Sequence, residues 1–397
     1  MWRRRLVALL LVLAAVAVAY LAVRAAALRA LPANSPVAAA LDPHNPTLVF
    51  RQASAELVRN RGRLNEQTYE RVAQAARREP TASEPLAFAA MRVLARNDIV
   101  SAEPMLVEAR RRNPRDRLAR LALLGVYLQS RRVAEASAEV AVLVRLIPQT
   151  SELLVPELAR FAAAPATSDA VVSTIGADPL MGQVLAHLLR NGADVDLVLR
   201  LGARQPRLPG GQFAPWQSLL VEKLIERGEV GRAREVWARL VGSRARSDDL
   251  IYDSDFAGGS GPPPFNWTLT ASGLGSAERA SGPTLQVEYF GRASGALATQ
   301  LLLLRPGRYQ FAFRAEGSAN GQGTKLAWRV ICREGGAPLV EIPLTDVTYT
   351  PRQLGGEFSV PASGCASQWL RLEGLAAEFP TTQSARISNL TLRRAGS

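Results

Sequence analysis

Residues 81–114 read TASEPLAFAAMRVLARNDIVSAEPMLVEARRRNP, and residues 115–148 read RDRLARLALLGVYLQSRRVAEASAEVAVLVRLIP. Each stretch closes on a proline, and Pro80, Pro114 and Pro148 stand 34 residues apart. Within the first, Leu86, Ala89, Ala90 and Val93 recur at helical spacing; after a short polar break, Ala102, Leu106 and Ala109 do the same. The pattern predicts two antiparallel helices per stretch. Small side chains, Ala90 and Ala102, stand where the axes cross, and the proline stops the second helix. In the second stretch Leu123, Leu124, Tyr127, Ala136 and Val140 take the corresponding places.

A 34-residue period with this placement of small, aromatic and proline residues resembles the tetratricopeptide repeat, a helix-turn-helix unit that stacks into a solenoid and implies protein partners. The unit ending at Pro80 keeps Val72 and Ala75 on its second helix. Further along, Leu220, Leu224, Gly228, Ala233 and Trp237 resemble a last repeat, with Gly228 at the turn and Trp237 at the aromatic position. Between residues 149 and 215 the period is lost, although 185–201 still reads as helix. Residues 46–246 are therefore expected to form an α-solenoid of roughly five or six hairpins.

Outward from this array, the N-terminus carries arginines at 3–5, followed by 18 uncharged residues, 6–23. Run length and Ala-rich continuation favour a retained transmembrane helix over a cleaved signal peptide. The charge balance places the tail in the cytoplasm of a bacterial inner membrane and the bulk of the chain in the periplasm. The net charge is +13, but residues 251–397 hold 13 basic against 11 acidic side chains. The excess lies in the first half, in runs such as Arg110, Arg111, Arg112 and Arg131, Arg132. Without aromatic interleaving these read as solvated helix faces, and no nucleic-acid partner is expected.

Residues 258–264, GGSGPPP, cannot continue a helix and mark a boundary. Beyond it the period becomes two. Leu285, Val287 and Tyr289 alternate, as do Tyr309, Phe311 and Phe313 after a Pro306-Gly307 turn, then Leu326, Trp328, Val330 and Cys332, then Leu370 and Leu372. The expected organisation is thus a multidomain chain: an anchor over 1–30, an all-α helical-repeat domain over 31–250, a Gly/Pro segment over 251–264 and an all-β sandwich over 265–397. The order of Asp253-Ser254-Asp255-Phe256, Phe265-Asn266-Trp267, Pro306-Gly307-Arg308-Tyr309 and a closing Ile387-Ser388-Asn389-Leu390 resembles carbohydrate-binding modules of the jelly-roll type. That resemblance covers about a third of the chain and implies a sugar ligand only by analogy of fold.

The chemistry-bearing residues are few. Cys332 and Cys365, the two cysteines, are expected to form one disulfide if the domain is exported. Asp253 and Asp255 offer hard oxygen ligands for calcium, or else initiate a turn. A sugar platform needs an exposed ring, because a flat apolar face stacks on the C–H face of a pyranose. Trp267, Trp369 and Tyr349 are the candidates, and Trp369 with Arg371 is favoured because both alternate against Leu370 and Leu372. His44 and His187, the two histidines, have no partners suited to a triad or metal cluster. Glu334, Glu341, Asp346 and Glu357 fit no paired-carboxylate motif, so no enzyme is expected. The functional expectation is a non-enzymatic scaffold that assists assembly or export of an envelope polysaccharide. The alternative is a pure protein-interaction scaffold whose β domain binds no sugar.

Overall fold

The structure is a computed structural model. It describes the backbone of residues 2–395 except 31, 33–34, 36, 38–39, 41, 207, 209–211, 243–249 and 320–322, and side chains from residue 14 onward with 28 and 29 further excepted. Compactness divides the chain into two units, Met1–Val184 and Leu185–Ser397.

The first unit is helical: α1 Trp2–Ala30, α2 Pro46–Arg59, α3 Glu66–Arg78, α4 Glu84–Leu94, α5 Ile99–Arg112, α6 Arg117–Gln129, α7 Val133–Leu146, α8 Ser151–Ala163, α9 Pro165–Ile175 and the start of α10, Pro179–Arg190. Starts are set by side-chain caps. Asn45, Asn65, Asp98 and Asp116 each accept the N–H three residues on, satisfying a donor that the helix leaves free. Stops repeat as well: α3, α5 and α7 each end two residues before Pro80, Pro114 and Pro148. Helices α2 and α3, α4 and α5, and α6 and α7 pair as hairpins, and α9 packs on both α7 and α8.

The period is visible in burial. Thr68, Val72 and Ala75 on α3, Ala102, Leu106 and Ala109 on α5, and Ala136, Val140 and Leu143 on α7 are buried at 34-residue intervals. On α4 the load shifts in part: Ala90 is buried as expected, but Val93 is half-buried. Leu86 and Ala89 are half-buried, and Ala87, Phe88 and Ala90 are the buried ones. The basic runs are also less solvated than expected. Glu139, 1% exposed, is held by Arg110 and, at 2.6 Å, by Arg120. Arg112 donates to the carbonyl oxygens of Pro80 and Ala82, and Arg78, 34 residues earlier, donates to that of His44. Arginine at this position thus ties the end of a hairpin back to the loop that precedes that same hairpin.

The expected membrane anchor is corrected. Among the described residues no helix is long and apolar enough to cross a membrane. Near the end of α1, Arg24 is paired with Asp42 at 3.0 Å. Arginines 3–5 lie outside the described side chains, and the inner-membrane placement with a periplasmic body falls with the anchor.

The second unit contains the rest of α10, then α11 Val195–Leu201, α12 Pro215–Glu226, α13 Val230–Val241 and eleven strands among the described residues. The helix expected over 185–201 is two helices, broken where Gly192 adopts φ +78° and Asp194 caps α11. Gly228, at φ +80°, makes the tight turn between α12 and α13, a left-handed conformation that costs glycine little. The strands are β1 Thr268–Leu269, β2 Ala271–Ser272, β3 Gly275–Arg279, β4 Thr284–Tyr289, β5 Gly295–Leu302, β6 Gly307–Gly317, β7 Lys325–Cys332, β8 Val340–Pro343, β9 Arg352–Val360, β10 Gln368–Leu375 and β11 Gln383–Arg394. They form two antiparallel sheets, β1-β5-β10-β7-β8 and β2-β3-β4-β11-β6-β9, the β-sandwich expected from the alternation.

Its core is aromatic. Trp328 is fully buried, with Trp267, Phe311 and Phe313 rings 5.8–6.2 Å from it. Gly374 on β10 lets the Tyr289 ring from the other sheet lie across it; a Cβ there would stand 2.3 Å from that ring. The Gly/Pro segment before the sandwich is fastened at several points. Gln300 uses both halves of its amide on the Tyr252 backbone, and Asn266 donates to the carbonyl oxygens of Gly259 and Gly261. Trp237 of α13 donates its Nε1 proton to the Pro262 carbonyl at 2.8 Å and meets the Tyr252 ring edge-on at 4.8 Å. Trp237 therefore binds the last helical hairpin to the start of the β region, a role beyond the hairpin packing expected of it.

Candidate functional site

Strand β10 builds the candidate site. Its residues alternate between buried and half-buried, so Gln368, Leu370 and Leu372 enter the sandwich while Trp369, Arg371 and Glu373 face outward. Register brings their neighbours. Trp369 lies between Leu301 of β5 and Ile331 of β7; Arg371 lies between Thr299 and Arg329; Arg329 in turn faces Glu341 of β8. The Arg371 guanidinium sits 5.4 Å from the centre of the Trp369 ring, close enough for cation–π attraction to hold both planes.

Charge on this face is partly neutralised. Arg329 binds Glu341 at 2.7 Å and Glu373 at 3.0 Å, and Arg371 approaches Glu373 at 3.5 Å. Two residues of this face escape the sequence reading. Ser367 stands two positions before Trp369 and is wholly buried. Arg333, whose backbone N–H donates to the Ser367 carbonyl at 2.9 Å, stands opposite it across β7 and β10. Ser367 Oγ, Arg333 Nε and Arg371 Nε are buried and lack a hydrogen-bond partner. Period two alone places Ser367 with Trp369, but Arg333 joins them only through the β7–β10 register.

The other candidates lie elsewhere. Trp267 is corrected from a platform to a core residue: it is 4% exposed, gives its Nε1 proton to the Asp253 carbonyl at 3.0 Å and packs on Phe256 and Trp328. Tyr349 is exposed between β8 and β9. The Asp253 carboxylate, 2% exposed, is taken by Arg279 at 2.7 Å and by the Gly258 N–H at 3.1 Å. With φ +51° at Asp253, this is a turn closed by an ion pair. Asp255 accepts from the Ala257 N–H, and no group of three metal-ligating side chains occurs among the described residues. Cys332 and Cys365 form the expected disulfide, linking the end of β7 to the loop before β10, beside Arg333 and Ser367. His187 of α10 meets Asn191 just past the end of that helix, and the backbone carbonyl of His44 accepts from Arg78.

No protein-family model matches the chain, and no curated protein is similar to it. Among solved structures, the chain is similar to several carbohydrate-binding modules, and also to a bacteriophage tailspike domain and an α-L-arabinofuranosidase. A CBM4 module matches at 11% identity over 39% of this chain and 99% of its own, TM-score 0.26. TmCBM61, solved with β-1,4-galactotriose, matches at 16% over 38% and 99%, TM-score 0.25. The CBM22-1 xylan-binding domain of Paenibacillus barcinonensis Xyn10C matches at 17% over 33% and 86%, TM-score 0.25.

Proposed function

We propose that the protein is a non-catalytic scaffold in which tetratricopeptide-like hairpins hold partner proteins while the β-sandwich engages a polysaccharide that those partners handle. The observation that carries it is the outward Trp369 ring on β10, stacked with Arg371 and flanked by buried polar atoms without partners. A ring supplies the apolar contact for a pyranose face, and the polar atoms around it supply orientation. Rigid strands hold the group, which spares the ligand most of the ordering cost. The repeated burial on α3, α5 and α7 supports the hairpin half of the reading.

Affinity electrophoresis of the full chain through gels containing neutral and acidic polysaccharides tests the glycan half. Retardation by at least one polymer, lost in Trp369→Ala, is expected; a folded, disulfide-bonded protein retarded by none refutes it. A second reading has its own observation in the Trp237–Pro262 clamp. In it the sandwich is a structural cap for the helical hairpins, and partner pull-downs are unchanged by Trp369→Ala but lost with Trp237→Ala.

A further inference from the structure

The three orphan polar atoms around Trp369 restrict the ligand's chemistry. An unpaired buried polar group is costly, more so when charged, so three on one face mark a surface completed by something else. Two of the three, Arg333 Nε and Arg371 Nε, belong to guanidinium groups, which donate and never accept. The acidic side chains of this face are already engaged: Glu341 and Glu373 are drawn to Arg329. Among the described residues no carboxylate pairs with Arg333. Three arginines against two glutamates leave one positive charge in excess beside the ring.

We infer that the β10 face takes an acidic glycan, its sugar ring on Trp369 and its anionic group held by Arg371 and Arg333. The inference rests on the glycan reading above and names its ligand class. Guanidinium matches a carboxylate or a sulfate ester in the same paired N–H···O geometry. A neutral sugar offers only hydroxyls and leaves the excess charge without a counter-ion.

Binding of the full-length, disulfide-bonded protein is measured against polygalacturonate, its fully methyl-esterified form, dextran sulfate and unmodified dextran. Either acidic polymer should bind at least about tenfold more tightly than its neutral counterpart, and the pair that does so identifies carboxylate or sulfate as the source of charge. Arg371→Gln should weaken the acidic polymer about ten- to a hundredfold, whereas Arg314→Gln, on β6 of the other sheet, should leave it unchanged. Equal loss in the two variants would show that overall charge alone attracts the polymer and would overturn the inference. Equal affinity for acidic and neutral forms would also overturn it while leaving the glycan reading intact. Binding to none of the four polymers, or to neutral glycans alone, counts against the acidic class, and only the first of these also counts against the glycan reading.

Discussion

Replacing Glu139 by alanine removes the carboxylate that joins three helices of the repeat region. Glu139 lies on α7 and binds Arg120 of α6 at 2.6 Å and Arg110 of α5. Arg120 is 9% exposed, and its Nε is already spent on the Pro114 carbonyl at 2.6 Å. Without Glu139, a buried guanidinium keeps its desolvation cost and loses its counter-charge, a loss of about 3–5 kcal/mol for a pair of this kind. With a second arginine also stranded, about 4 kcal/mol is expected, a large share of the roughly 5–15 kcal/mol that holds a domain folded. Glu139→Gln keeps the shape and one acceptor and should lose about half as much. Leucine at 139 with methionine at 120 should recover most of the loss, because apolar side chains of similar volume fill the space without buried charge. Denaturant unfolding followed by far-ultraviolet circular dichroism measures all three. A loss below about 1 kcal/mol in the alanine variant would place the cluster with solvated surface pairs and refute the reasoning.

Trp237→Ala should destabilise the Leu185–Ser397 unit by about 3–5 kcal/mol, and Trp237→Phe by about 1 kcal/mol, since the Pro262 carbonyl then loses its donor; denaturant melts of the variants check this. Cys332→Ala opens a link spanning 33 residues and should cost roughly 3–4 kcal/mol by loop entropy, read from the same unfolding curves with and without reductant. Glu108 is held at a pKa of about 2 against an ordinary 4.5, by hydrogen bonds from Arg111 and then Arg112. Its folded pKa is depressed, so its contribution is complete above the ordinary value and fades as pH falls through about 2. Carbon-detected NMR titration should show this in the wild type and a return toward 4.5 when both arginines become glutamine.

The β-sandwich is legible in the sequence because an alternating strand records its own two faces: Leu326, Trp328 and Val330, or Leu370 and Leu372, name the core without knowledge of neighbours. The hairpins over 99–146 are legible because their buried positions repeat. The weight of Phe88 on α4 is less so, since its spacing from Leu86 fits no expected position. Pairings between distant residues leave no local trace. Arg110 sits in an arginine run, and only the ion pair from α5 to α7 shows that Glu139 neutralises it. Arg333 joins the Trp369 face through sheet order, and Trp237 finds its acceptor in a Gly/Pro segment that composition alone describes as a boundary.

Calorimetric titration of the full-length protein with whichever polysaccharide retards it, beside Trp369→Ala, tests the ligand face most directly. Saturable binding weakened about thirtyfold or more in the variant, some 2 kcal/mol, is the predicted result for a central aromatic anchor. Unaltered affinity in a variant that unfolds like the wild type would contradict the assignment of β10 as the binding face.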